Sequence, residues 1–368
     1  MTDDEPAYTT DEQESKFSRI AFAQGMAGVV LIYTLLIGWT WIGAGKTLES
    51  QQARLSSKTV VIQWPSGSHT SGNDGHGTEE NEHAMPAIPN LPPEATMMPS
   101  GLVEAPLQGL FENTQLGPSP VIRKDGLTAF KAYRRPFDNS ATDQPLVSLV
   151  IVDLGLSDLA TENALHNMPP EVSLAISSYA QSPEFWVEEA RARGHEIWMT
   201  LPLETHDFPQ TDPGPHTMII GAPERENMAK LSWLMTRTSG YVGFITTKQN
   251  SIFMNSIHDM RSIVGALYSH GLGFANSADS NTASIPATMA HGMGAAYAPL
   301  DTWIDEPAAT QENIRNALHE LEEKAREHGR ATGVIHPLPV SYQEILRWID
   351  TLEDKGLTLA PLSAQTGL

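Results

Sequence analysis

Apolar and polar positions fall into a regular order from residue 146 onward. The run Leu146-Val147-Ser148-Leu149-Val150-Ile151-Val152 is apolar almost throughout, the pattern of a strand buried on both faces in a parallel sheet. Short apolar runs then alternate with amphipathic stretches. Strands are predicted at 147–152, 172–176, 197–203, 242–245, 273–276, 295–300, 332–335 and 357–362. Helices are predicted at 157–167, 183–193, 224–238, 256–270, 283–291, 310–328 and 341–353. A series of about seven β/α units in one domain predicts an α/β fold, a distorted (β/α) barrel of about seven strands, rather than an open sheet.

Ahead of that series the pattern is different. Residues 20–45 carry no charge and include Tyr33, Trp39 and Trp41, which predicts a transmembrane anchor with interfacial aromatics in its distal half. A cleaved signal peptide, suggested by Gly43-Ala44-Gly45, has a shorter apolar core than this run. Residues 1–19 form a tail. Residues 46–125, rich in Pro, Gly, Ser, His and acidic side chains, predict a flexible linker, because they offer little apolar surface to offset the entropy of ordering. His69, His76 and His83 recur in it at intervals of seven, which puts nothing on one face of a disordered tract. The aromatic and basic piece 126–137 is expected to dock on the domain that follows, so the domain is drawn as 126–368.

Charge narrows the partners. Acidic residues outnumber basic ones 44 to 23, a net charge of −21, which argues against a surface that tracks nucleic-acid phosphates or anionic lipid. The Lys/Arg residues flanking the apolar run, Lys16 and Arg19 before it and Lys46, Arg54 and Lys58 after, do not assign its orientation. No cysteine is present, so disulfides and thiolate metal sites are excluded.

Chemistry is expected where strands end. The first strand ends in Asp153-Leu154-Gly155, a carboxylate before a turn glycine, either a metal or acid/base group or a cap for the helix that follows. Further along stand Leu174-Ala175-Ile176, Ala190 to Glu196, Leu201-Pro202-Leu203-Glu204, Asp212-Pro213-Gly214-Pro215, Gly240 to Gly243 and Ile335-His336-Pro337. In that order they resemble the divergent polysaccharide deacetylase family, a branch of the carbohydrate esterases with a distorted barrel, over about residues 126–364.

The resemblance implies a divalent ion, zinc or another metal, held by an Asp-His-His set, with a second carboxylate as general base. This chain departs from that set. It has Val152-Asp153 where the family has two adjacent aspartates. It reads Thr246-Thr247-Lys248-Gln249-Asn250-Ser251 where the family has a histidine, and Asn276-Ser277 where the family has Asp-Ser. No His-x(3–5)-His pair occurs. The remaining rim candidates are Asp153, Glu204, His206, Asp212, His216 and His336. Asp153, Glu204 and His336 are the catalytic candidates; Asp153 and His336, completed by Glu204 or His206, are the metal candidates. Simpler roles stand beside these: Asp153 as a helix cap, Glu204 bonding backbone in its loop, His336 as a buried imidazole, and Asp212–Pro215 as a rigid turn. His195, at a helix end, suits the helix dipole, and the Glu-rich 312–327 stretch suits a solvated helix face with i,i+4 pairs.

Two hypotheses follow. One is a hydrolase of N-acetyl groups on cell-envelope glycan, metal-dependent and with a degraded site; the other is an inactive barrel that binds glycan or an envelope protein. The anchor and the resemblance together imply, as an expectation, a bacterial inner-membrane protein, single-pass, with the carboxy-terminal domain periplasmic.

Overall fold

The computed structural model describes residues 91–93, 95–247, 252–277 and 284–366, all within the unit Asn81–Leu368. The expected anchor at 20–45, the tail 1–19, linker residues 46–90 and Lys248 to Ser251 lie outside the described residues. No helix among the described residues is long and apolar enough to cross a membrane.

Strand β1 (Phe111–Thr114) and β2 (Gly117–Pro120) form an antiparallel hairpin, and α1 (Ala129–Tyr133) follows. Then comes the alternating series: β3 (Leu146–Leu154), α2 (Asp158–Asn167), β4 (Ser173–Ile176), α3 (Pro183–Ala192), β5 (Ile197–Leu201), α4 (Glu224–Met235) and β6 (Gly243–Thr246). It continues with α5 (Ile257–Ser269), β7 (Gly273–Ser277), α6 (Ser284–Met293), β8 (Tyr297–Leu300), β9 (Thr302–Trp303), α7 (Gln311–His328), β10 (Arg330–Ile335), α8 (Pro339–Ile349) and β11 (Thr358–Leu359).

The strand order is β8-β7-β6-β5-β4-β3-β10-β9, all parallel, with β11 on the flank of β3. The two ends of this path, β8 and β9, are separated in sequence by Asp301 alone. Asp301 donates its N–H to Thr332 O (2.9 Å) and accepts from Thr332 N through Oδ2 (2.8 Å). One extended run therefore bonds β7 with its first half and β10 with its second, and the sheet comes round to a near-closed barrel of eight strands. The expected count of about seven missed the two-residue strand β9 after 295–300, and the stretch predicted at 357–362 holds only the short flanking strand β11.

Local sequence explains the elements. Nearly every residue of β3 is buried, as its unbroken apolar run requires. Ser157 Oγ caps α2, and Pro183 opens α3, where a missing N–H costs nothing. Helix α7 starts at the Thr310 cap and stops at Gly329 in the left-handed region (φ 77°), a conformation glycine adopts without strain. Its glutamates are not all solvated: Glu322 is buried and accepts from Trp348 Nε1 at 2.7 Å, because α8 packs across that side of α7.

Composition misled at 91–125. Val103, Leu107 and Leu110 are buried in the main core and Leu102 is buried beside them in sequence, so this end of the expected linker is packed structure. Its apolar anchors are scattered among Pro and Gly without a period. In the 126–137 piece, Phe130 meets Trp198 edge-on (6.4 Å) and Tyr133 is buried.

On α8, Glu344 accepts from Arg315 Nε (2.7 Å) and Arg347 (2.7 Å). The Arg315 hydrogen bond, with the charges of both arginines, holds its carboxyl below the ordinary 4.5. A depressed folded value means the stability is fully present above 4.5 and is lost as pH falls through the lowered range. Glu344→Gln should lose about 1 kcal/mol at pH 7, since both cations face solvent, or roughly 2–4 °C in Tm. That gap should close in thermal melts run well below pH 4.5.

Candidate functional site

Parallel strands place every carboxyl end on one face, the barrel mouth. At the end of β3 the register against β4 shifts between Ile151 and Leu154. Within that shift Asp153 takes φ 59°, and it is the one non-glycine at positive φ among the described residues. Such a conformation costs about 1–3 kcal/mol for a residue with a side chain, less for Asp, and collects at functional sites. Since Ser157 caps α2, Asp153 is not that helix's cap. Gly155 (φ 85°) turns the chain where a Cβ would stand 2.7 Å from Ala180, pressing the loop onto β4.

Asp153 lines a cavity of about 200 Å³ together with Ser177 and Tyr179 after β4, Thr200 to Leu203 at the end of β5, and Thr246 and Thr247 at the end of β6. Hydroxyls dominate its polar wall. Thr200 Oγ1 accepts from Ser178 N (3.2 Å). Thr246 is buried, and its Oγ1 has no hydrogen-bond partner among the described residues. The loop after β5 closes one side. Gly214 lies against the Tyr179 ring, where a Cβ would come within 2.6 Å, and His216 N donates to the Tyr179 hydroxyl (2.9 Å). Burial pushes the Tyr179 phenol up.

The His216 ring stacks on Trp233 at 3.7 Å and 3°, while the Arg237 guanidinium sits 4.8 Å from the same indole. Burial, then the charges of Lys230 and Arg237, pull His216 below its ordinary value. His216 is thus a wall of the loop, held neutral. Asp212 Oδ1 accepts from Gly214 N (2.8 Å), a rigid Asx turn.

A second group stands at the ends of β9 and β10. His336 Nδ1 lies 2.8 Å from Asp305 Oδ1, and Asp305 Oδ2 accepts from His336 N (2.9 Å) and Ser341 Oγ (2.8 Å). Asp305 is buried. Three contacts on one buried carboxylate fix the imidazole's orientation and place a proton on Nδ1. Because Ile335 of β10 pairs with Ile151 of β3, His336 follows on the strand next to the one that carries Asp153.

Other candidates stay apart. Glu204 accepts from Ile220 N (2.7 Å), with its own backbone N on Met218 O (3.0 Å), so its carboxylate bonds the loop backbone. His206 is exposed on that loop. Among the described residues no three His, Asp or Glu side chains converge as a metal would require. Asp153 faces the cavity, His336 is engaged with Asp305, and His206 lies in solvent. The described residues do not fit the implied zinc site. His195 is buried with Nδ1 on Val172 O (2.9 Å), a packing role beyond a helix-end charge.

Sequence reasoning missed Asp305, Tyr179, Thr200 and Thr246. Asp305 had a signal: Thr302-Trp303-Ile304-Asp305 repeats the form of Val150-Ile151-Val152-Asp153, an apolar run ending in a carboxylate.

Residues 149–366 match the family described as divergent polysaccharide deacetylase. No protein of curated function matches. The chain is similar to a solved, uncharacterized protein of Agrobacterium tumefaciens C58, with TM-score 0.62 and 29% identity over 67% of this chain and 99% of that one. Lower similarity is found to a family 4 carbohydrate esterase of Streptomyces lividans in complex with acetate (TM-score 0.33, 17% identity, 61% of this chain and 96% of that one). The catalytic domain of a peptidoglycan N-acetylglucosamine deacetylase of Eubacterium rectale gives TM-score 0.35 and 11% identity over 63% and 97%.

Proposed function

The chain belongs to the divergent polysaccharide deacetylase family, and from that premise we propose that its barrel mouth takes cell-envelope carbohydrate and hydrolyses an acyl substituent there. The observation that carries the proposal is the Asp305-fixed His336 imidazole at the carboxyl end of β10. With Nδ1 given to Asp305, Nε2, which stands 3.8 Å from Glu306 Oε1, is the nitrogen that exchanges a proton with substrate in this reading. Asp153, on the neighbouring strand and lining the cavity, is the carboxylate that accepts the proton of an attacking water. Water adds to the acyl carbon as Asp153 takes its proton, the C–N bond breaks, and that proton passes by way of His336 Nε2 to the leaving nitrogen, so acetate and free amine are the products. The uncharged run 20–45 supports an inner-membrane anchor, with the barrel on the periplasmic side beside its glycan.

A second reading, glycan or envelope-protein binding without turnover, rests on the absence of a three-ligand set among the described residues. The full chain, with His336→Gln and Asp305→Asn beside it, should be tested on N-acetylglucosamine oligomers for acetate release and for binding, with and without chelator. The expected result is acetate release that persists in chelator and falls by at least about 100-fold in both variants, with binding changed little. Binding without any release selects the second reading; neither binding nor release removes the carbohydrate role.

A further inference from the structure

Six of the large apolar side chains that face solvent stand around the mouth. Leu156 (60% exposed) and Leu159 (70%) follow β3, Phe185 (53%) opens α3 after β4, and Leu338 precedes α8 after β10. Ile220 and Ile257 occupy the next two sectors, after β5 and β6. The first four sit on consecutive sectors of the wall, because β10, β3 and β4 are neighbours. Contacts tie those sectors together. Tyr342 Oη of α8 donates to Ala160 O in the first turn of α2 (3.1 Å). The Gly155 turn before α2 packs toward Trp186, whose ring meets Phe185 edge-on at 5.0 Å.

This ridge is not separate from the cavity, since Leu156 belongs to both. Below Leu156 the cavity wall mixes apolar side chains, Leu201, Pro202 and Leu203, with a few polar groups, Asp153, Thr200 and the buried Thr246 hydroxyl that no described residue satisfies. A buried hydroxyl of that kind calls for a hydrogen-bonding ligand, while exposed apolar side chains at a rim call for an apolar one. A molecule seated on Thr246 and leaving the cavity past Leu156 meets both in turn. A net charge of −21 makes an anionic bilayer a poor cover for the ridge.

We infer that the mouth takes an amphiphile: a sugar head in the cavity and an alkyl or prenyl tail along Leu156, Leu159, Leu338 and Phe185. The inference rests on the carbohydrate reading and names its substrate class, a lipid-linked glycan rather than free polymer.

The test is calorimetric binding of methyl, butyl and hexyl N-acetylglucosaminides to the full chain in zwitterionic nanodiscs, with empty discs as blank. Leu159→Ser and Phe185→Ser, two exposed positions that do not line the cavity, are run alongside. Wild type should bind more tightly with each added methylene, by up to about fourfold where the methylene is fully buried. The two variants should bind the methyl glycoside as wild type does and lose most of that gain. A methyl glycoside that binds with no gain from the longer chains overturns the amphiphile and leaves the carbohydrate reading standing. A gain untouched by either variant also overturns it, because the tail then lies elsewhere. No binding of the methyl glycoside at all removes the carbohydrate reading and this inference with it.

Discussion

Alanine at Gly243 should cost more than about 3 kcal/mol, beyond the usual range for overpacking a core. Gly243 of β6 pairs with Gly273 of β7. A Cβ there would lie 2.2 Å from Gly273 O, 2.6 Å from its carbonyl carbon and 2.8 Å from its Cα. All three are backbone atoms, so no side chain can rotate away. Relief requires β6 and β7 to separate, which breaks the adjoining Gly273 N to Val242 O bond of 2.9 Å. Gly273 cannot retreat, because the Phe130 ring and Trp198 already crowd its other side, at 2.9 and 3.2 Å from its own Cβ position. Gly292 in α6 has nothing within 4 Å of its Cβ position, so Gly292→Ala should be neutral or stabilise by up to about 1 kcal/mol. Urea unfolding of the two variants beside wild type decides this; a Gly243→Ala loss under about 1 kcal/mol contradicts the contact.

That glycine pair also shows what the pattern of apolar positions could and could not carry. Strands buried on both faces announce themselves as nearly unbroken apolar runs, so β3 and β5 were legible, as were helices with caps such as Ser157 and Thr310. Which strand lies beside which is a pairing between distant residues, and the Asp301 hinge that lets β8 and β9 serve two neighbours leaves no local trace. The 91–125 segment was illegible for a different reason. Its order comes from scattered apolar anchors and from hydrogen bonds to distant residues, such as Leu107 N on the Tyr133 hydroxyl of α1 (2.8 Å), and composition does not record them.

The candidate site divides along the same line. Asp153 and His336 stood at predicted strand ends, where a sequence points to chemistry. Glu204 also followed a predicted strand, but the chain turns there and its carboxylate meets Ile220 N instead. Asp305 pairs with His336 only because β9 lies beside β10. The Thr246 hydroxyl gains meaning from its burial next to a cavity, a property that no threonine shows in sequence.

Arg191→Met should cost about 3 kcal/mol or more, since each buried carbonyl left unpaired costs about 1–3 kcal/mol. Arg191 is 1% exposed. Its Nη1 donates to Tyr133 O (2.9 Å) and Gly240 O (3.1 Å), and its Nη2 to Val103 O. One guanidinium thus joins α1, the approach to β6 and the N-terminal segment, and it stands 5.1 Å from the Tyr133 ring. Burial pulls its pKa down to about 10, so it remains charged at neutral pH. Methionine fills the volume and leaves three carbonyls without a donor. Lysine should recover little, because one ammonium on a single stem cannot serve carbonyls held by three separate segments. The damage should be local before it is global. Val103 loses its tie to the barrel, so residues 98–110 should be cut by protease ahead of any site in β3 to β10, with the cuts mapped by mass spectrometry beside urea unfolding. An Arg191→Met variant that keeps that segment protected and lies within about 1 kcal/mol of wild type would show that the segment is held by Leu102, Leu107 and Leu110 alone.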